Sequence, residues 1–408
     1  MYLLKNITKS ITSKKIVCLL IVIQFSLCLQ FLLGGIIKIR EIRYSQELFN
    51  STLKCNPERV VRFSALNGST SEYYISRLNE MYEYIGKKVG KDSFGSYITS
   101  KEYYILGDNN IADVRVIKTD SVFFNIININ LISGKRFMPQ DFSRTDRIPV
   151  IAGYNLRNSF KLGKEIIDRE TGVKYYISGI AAKNSFWIGD YGTPVTDVVN
   201  IDNSFIMPIL KQEMKEKDTL LGCINNQYCI IPEGSNYGNI RRDIFKKSRE
   251  LKINFTSRLL KELVNEVDTQ QRNSASCYAF LGIFGGGFSA LGLLTVFLAQ
   301  INSKKREIGI RLTAGASFNN IINLVLFEIL LILSVAGTIA LYLLYTTKQS
   351  EIEWSLRHKN TVNAGSYVDN EIILVAFGIV VAMSIIVTIL PAFRICKLQI
   401  REMIGGRD

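Results

Sequence analysis

The chain has 408 residues, 47% hydrophobic and 21% charged, with a formal net charge of +14. The averages suit a soluble protein, but the apolar residues gather in four long runs and most charges lie between them, so one part of the chain faces lipid and another faces water. The basic excess sits beside the ends of those runs, which excludes a nucleic-acid-binding surface as its purpose and points to membrane topology instead.

The first run, Ile16 to Ile37, is uncharged and follows Lys5, Lys9, Lys14 and Lys15. About 20 apolar residues suffice to cross a hydrocarbon core. A cleaved signal peptide is the alternative. The run is long for such a core, no A-x-A site follows it, and Ser26-Leu27 before Cys28 is a poor lipoprotein box. An uncleaved span over 16–37 is therefore expected.

Residues 38–276 form a large domain of mixed pattern. Residues 71–90 read as an amphipathic helix closed by Gly90. β-Rich runs follow at Tyr103–Leu106, Val114–Ile117, Val122–Phe124, Leu131–Lys135, Pro149–Ala152 and Lys174–Ile180, with a turn near Pro139. Residues 183–200 are rich in Gly, Asn, Asp and Pro and read as loop. A strand over Gln227–Pro232, a helix from Tyr237 to Leu251, a strand near Ile253–Phe255 and a helix over Leu259–Glu266 complete an α+β domain.

Three more spans follow, at 277–301, 321–345 and 372–391, the second interrupted by Glu328. They leave a cytoplasmic amino terminus (1–15), a cytoplasmic loop (302–320), a short outer loop (346–371) and a cytoplasmic tail (392–408). The three cytoplasmic stretches carry about +9 of the net charge. The outer loop is near neutral, with Glu351, Glu353, Asp369 and Glu371 against Lys348, Arg357 and Lys359. That asymmetry places both termini inside and residues 38–276 outside.

Nothing in the sequence assembles a catalytic site. There is no G-x-S-x-G or H-E-x-x-H, and His358 is the one histidine. Asp141 and Asp146 read as residues of a solvated loop. No cysteine has metal-ligand spacing with a histidine, so no metal is expected. Cys223 and Cys229 flank a short polar segment of the outer domain and form either a local disulfide or two partly buried thiols, since spacing does not fix Cβ geometry. Sequons at Asn50, Asn67 and Asn254 are expected by chance in an Asn-rich chain.

The segment after the second span carries the sharpest signal. It reads Lys305-Arg306-Glu307-Ile308-Gly309-Ile310-Arg311, then Gly315-Ala316, with Glu328 in the next span. Physically it is a short basic helix, a glycine-bounded turn and a re-entry; Arg306, Glu307 and Arg311 stand within helical pairing distance. The plain alternative is a positive-inside loop. The residue order resembles the loop of FtsX-like, MacB-type ABC transporter permeases, approximately R-x-x-E-I-G-I-x-R-x-x-G-A. Arg306 stands one residue closer to the Glu than in some members. The last span ends Pro391-Ala392-Phe393-Arg394, with Lys397 beyond and Arg401-Glu402-Met403-Ile404 following, which is similar to the family's Pro-Ala and basic helix. Weaker echoes are Gly134-Lys135-Arg136-Phe137 with Asp141 and Pro149-Val150-Ile151, and Leu162-Gly163-Lys164 with Tyr176–Ile180.

The resemblance implies a four-helix membrane protein with an α+β extracytoplasmic domain of MacB type, in a bacterial plasma membrane. It implies a non-catalytic subunit that dimerises with an identical or paralogous permease and couples to ATPase subunits through Lys305–Ala316. It further implies mechanical transmission to the outer domain, for export or extraction of a peptide, lipoprotein or hydrophobic drug, with an extracytoplasmic accessory protein as a further partner. No G-x-x-x-x-G-K-[ST] is present, so ATP and Mg would be used by a separate chain. Gly282 and Gly286 give a small-xxx-small face for close helix packing, within one subunit or between two. Glu328 is costly inside a span; pairing with Arg311 or with a residue of a partner is expected, and a proton-carrying role is the weaker alternative, since no second intramembrane acid or base accompanies it. Two other readings stand beside transport. One is a transmembrane relay that activates a cell-wall hydrolase, for which the outer domain is larger than needed. The other is a membrane-anchored receptor without an ATPase, against which the structured inner loop speaks.

Overall fold

The computed structural model describes residues 15–65, 71–90, 93–106, 110–168, 172–189, 198–210, 213, 217–357 and 362–397. The basic amino-terminal stretch to Lys14, the tail from residue 398 with Arg401 and Glu402, His358 and Asn67 lie outside the described residues. The chain divides into two compact units, Met1–Arg43 with Gln270–Asp408, and Tyr44–Thr269.

The first unit is a helix bundle. Its helices are α1 (Lys15–Thr52), α6 (Leu260–Ser303), α8 (Phe318–Arg357) and α9 (Asn370–Lys397). All four are long and apolar enough to cross a membrane. Each runs past its apolar run. Between Lys38 and Thr52 there is neither Gly nor Pro, and the same holds from Leu260 to Cys277. Polar sequence therefore continues as helix where nothing breaks it. The domain expected over 38–276 accordingly has a compact body of 44–269, and the outer loop expected from 346 begins only after Arg357. The fourth helix likewise passes through buried Pro391 and ends at Lys397, so Pro391-Ala392 does not close it.

A seam of small residues joins α1 to α6. A Cβ on Gly35 would lie 3.4 Å from Ala275 O and from Ala279 N, so the two backbones run in close contact there. A Cβ at Gly282 or Gly285 would overlap Leu32 or Cys28. Cys28 Sγ meets Ser289 Oγ at 3.9 Å. Within this chain the close contacts are at Gly282 and Gly285, while Gly286 meets no atom of the described residues within 4 Å and its side of the helix is left open. The bundle core is Leu29, Leu33, Leu293, Phe297, Ile329, Leu333, Ala336, Ala376 and Val380. Phe280, Ile283, Phe284, Phe288, Leu374 and Phe377 face outward, as suits a bundle solvated by lipid.

The second unit is built on a ten-stranded mixed sheet. Its strands are β1 (Val60–Ala65), β2 (Phe94–Leu106), β3 (Asn110–Thr119), β4 (Leu131–Gly134), β5 (Ile148–Ala152), β6 (Glu165–Asp168), β7 (Lys174–Ala181), β10 (Ser204–Pro208), β11 (Gln227–Ile230) and β12 (Phe255–Leu259). The order is β12-β1-β11-β2-β3-β10-β5-β7-β4, with β6 pairing β2 and β7. The β3–β10 and β5–β7 pairs are parallel. Helices α2 (Glu72–Val89) and α5 (Tyr237–Glu250) pack on the β12-β1-β11 end through Leu78, Met81, Ile85 and Ile244 against Val61, Phe63 and Phe255. Ser71 caps α2 and Gly90 ends it, as its sequence indicates.

Val122–Phe124 is not a strand but part of helix α3 (Ser121–Ile126), because Asp120 accepts the Phe123 N–H as its cap. Phe123 then meets Tyr97 at 4.6 Å and Tyr228 at 4.9 Å, in the core that also holds Trp187. The loop expected over 183–200 contains a two-stranded sheet, β8 (Phe186–Ile188) with β9 (Val198–Asn200). Asp141 is buried rather than solvated: it accepts the Met138 N–H at 2.8 Å and pairs with Arg144, while Asp146 stays exposed. Cys223 and Cys229 are free thiols, both buried. Cys223 sits on α4 (Lys217–Asn225), near Ser96, whereas Cys229 points from β11 into the core with Val61 and Met81. Burial pushes the two thiols up to about 11 and about 12.

Candidate functional site

The loop after α6 forms a second, short helix, α7 (Lys305–Thr313). Its end is a Schellman turn: the Gly315 N–H bonds to Leu312 O at 3.1 Å and the Ala316 N–H to Arg311 O at 3.0 Å. Gly315 has φ +93°, a left-handed value that favours glycine, and this reverses the chain into α8.

The residues grouped by the sequence divide between two sides of α7. Gly309 and Leu312 are buried, and Ile308 packs against the bundle core. Arg306, Glu307 and Ile310 face outward, with Ile310 53% exposed. Lys305 and Arg311 lie between, half-buried. Glu307 and Arg311 pair at 2.6 Å, four residues apart. Ile308 and Gly309 thus seat the helix, and an apolar side chain ringed by charges is left on its far side. That composition suits a protein contact.

Glu328 lies in α8 and is 4% exposed. Its Oε1 has no hydrogen-bond partner among the described residues. Arg311 is occupied by Glu307, so the expected Glu328–Arg311 pair does not form. Pro391 is buried in α9, four residues beyond Val387, whose carbonyl it cannot serve as a donor. Arg394 and Lys397 occupy the last turn, favourable at a helix carboxyl end.

A polar cluster that sequence reasoning missed lies at the other end of α1. Glu41 is 8% exposed and Lys348 of α8 is 9% exposed. Glu41 Oε1 accepts from Lys348 Nζ at 2.9 Å and from Ser366 Oγ at 2.8 Å; its Oε2 accepts from Lys38 at 2.8 Å. Lys348 also pairs with Glu351 at 2.7 Å. Arg40 holds Asp369 with two bonds, at 2.9 and 2.7 Å, and Asp369 accepts the Ile372 N–H at 3.2 Å, in the first turn of α9. Asn363 donates to the Glu41 carbonyl at 3.0 Å. Gly365 lies so close that a Cβ there would come within 2.7 Å of Arg40 C and Glu41 N. The segment between α8 and α9 is therefore strapped onto α1 by buried charge and by backbone contact. The weak sequence signals were Lys38–Glu41 and Lys348–Glu351, each three residues apart.

Residues 279–400 match the family described as FtsX-like permease C-terminal. This part of the chain is an FtsX-like permease domain. It contains α7, Glu328, the strap and Pro391. No curated protein sequence matches the chain. Among solved structures, the chain is similar to the periplasmic region of MacB from Actinobacillus actinomycetemcomitans, at 13% identity and TM-score 0.36, covering 54% of this chain and 95% of that one. It is also similar to the extracellular domain of the noncanonic ABC-type transporter YknZ from Gram-positive bacteria, at 8% identity and TM-score 0.34, covering 49% of this chain and 99% of that one. The match over residues 279–400 and the four helices long and apolar enough to cross a membrane make the chain a multi-pass membrane protein with an FtsX-like carboxyl-terminal part.

Proposed function

We propose that the chain couples ATP hydrolysis by a separate ATPase subunit to movement of its α+β unit. The outward face of α7 is the contact, with Ile310 as the apolar anchor and Arg306 and Glu307 around it. The observation that carries this reading is the two-sided α7. Its inner side, Ile308, Gly309 and Leu312, is seated on the bundle core, so a push on the outer side passes to the helices. Movement then travels along α1 (Lys15–Thr52) and α6 (Leu260–Ser303), each a single continuous helix. ATP and Mg are used by the ATPase. A second permease subunit, identical or paralogous, completes the assembly. Both termini and α7 lie in the cytoplasm and residues 44–269 lie outside, which follows the placement of the basic residues. The cargo class is a peptide, a lipoprotein or a hydrophobic drug, moved mechanically rather than through a pore.

The test is purification in nanodiscs with ATPases from the same genome, comparing wild type with Glu307→Lys and Ile310→Asp. Both side chains are exposed, so neither change should unfold the protein. A stable complex whose ATP turnover no longer responds to the permease in either variant supports the coupling. Absence of any complex, or variants indistinguishable from wild type, removes it. A complex that hydrolyses ATP and activates a cell-wall hydrolase without moving cargo would replace transport by a relay.

A further inference from the structure

The α+β unit carries its charge unevenly. Residues 44–269 have a net charge of +4. Residues 237–252 hold six basic and two acidic residues, which is also +4, so the rest of the unit sums to zero. Helix topology does not explain this segment, since it is far from the apolar runs in sequence. The flanks of α5 are neutralised within the unit: Lys247 pairs with Glu80 at 3.0 Å, Asp243 with Lys88 at 2.8 Å and Arg241 with Glu262 at 3.6 Å. The outward stripe is not. Arg242, Lys246 and Arg249, with Lys252 just beyond the helix, are exposed and form no ion pair among the described residues.

Arg242, Phe245, Lys246 and Arg249 fall at helical spacings of three, four and seven residues, on one face about 10 Å long. Phe245 is 54% exposed at its centre, with the Arg249 guanidinium 4.6 Å from its ring centroid. A second ring of this kind lies on the neighbouring α2. Tyr73 is 66% exposed under Arg77, at 3.9 Å, and Arg77 donates to Leu251 O at the end of α5. A merely solvated basic face does not need an exposed Phe at its centre. Arginine and aromatic side chains set together are the composition of protein-docking anchors.

We propose that Arg242, Phe245, Lys246 and Arg249 form a docking surface for an acidic segment of another protein, one that presents carboxylates around an apolar side chain. The carboxylates take the arginines two-pronged, and the apolar side chain covers Phe245. The surface is independent of the coupling reading: a chain that engaged no ATPase would still present it.

The test uses the full chain in phosphatidylcholine nanodiscs and a fluorescent peptide of alternating glutamate and leucine, read by anisotropy at low and high salt. The triple variant Arg242→Glu, Lys246→Glu, Arg249→Glu should weaken binding by at least about tenfold. Phe245→Ser should weaken the glutamate–leucine peptide by about fivefold and leave an all-glutamate peptide unchanged. A control reversal at exposed Lys161 and Lys174 should leave binding unaltered. Equal binding by wild type and triple variant overturns the proposal, as does equal loss in the control. Capture of phosphatidylglycerol vesicles through this stripe, without peptide binding, would overturn it in favour of a lipid surface. Unchanged thermal midpoints in the variants exclude misfolding as the cause of any loss.

Discussion

Removing the Glu41 carboxylate should loosen the strap more than its place near a membrane edge suggests. Among the described residues, Glu41→Met leaves Lys348, which is 9% exposed, with Glu351 at 2.7 Å as its one remaining acidic partner. It also strips Ser366 of its acceptor at 2.8 Å. Breaking one side of a buried ion pair costs about 3–5 kcal/mol. The retained Glu351 offsets part of that, so about 2–3 kcal/mol is expected. The loss should largely disappear in the double variant Glu41→Met, Lys348→Met: the charges left without these partners, Lys38 and Glu351, are the exposed ones, and an apolar replacement of a buried pair is commonly neutral or stabilising. The assay is thermal unfolding in detergent of both single variants and the double. The coupling should exceed about 1.5 kcal/mol, with the double variant close to wild type. Additive losses in the two singles would refute the reasoning, because they would show the two charges solvated independently.

Three further outcomes follow from the geometry. Gly315→Ala should lose about 1 kcal/mol of stability, all of it conformational, since a Cβ there meets no atom of the described residues within 4 Å; Gly315→Asn should lose less, and equal midpoints for the two would contradict the Schellman turn. Asp120 accepts from the Ser96 N–H at 2.5 Å and the Phe123 N–H at 2.8 Å, yet burial pushes its carboxyl up to about 6. Its contribution to stability is therefore fully present below the ordinary carboxylate range and lost as pH rises through about 6; wild-type midpoints compared at pH 5 and pH 7.5 should show the step, and Asp120→Asn should remove it. Cys223 and Cys229 should resist a thiol reagent at pH 8 until the protein unfolds, because both are buried and their thiols are raised to about 11 and about 12; labelling of either in the native protein would count against this packing.

The spans were legible in the sequence because a long uncharged run such as Ile16–Ile37 can satisfy its backbone in lipid only as a helix. Their ends were not, since Lys38–Thr52 and Leu260–Ser276 are polar helix whose continuation depends only on the lack of a breaker. Gln227–Pro232 and Lys174–Ile180 read correctly as strands, whereas Val122–Phe124 deceived because one capping aspartate outweighed three strand-forming residues. The loop motif showed which residues of α7 matter together but not that Gly309 faces in and Ile310 out. The strap was invisible for a plainer reason. Glu41 and Lys348 are 307 residues apart, and Arg40 and Asp369 are 329 apart, so no local pattern announces either pair.

Helix continuity has a consequence for how such a chain can change length. Each residue inserted into α1 near Arg43, or into α6 near Gln270, turns the remainder of that helix by about 100°. One inserted residue therefore puts a core side chain into solvent, while seven restore the phase to within about 20°. The two helices are bound to each other along the Gly35–Ala275 seam, so a change in one alone is also out of step with its neighbour. Length variation at these two places should come in matched pairs of about seven residues, a periodic clock that a flexible linker would not keep.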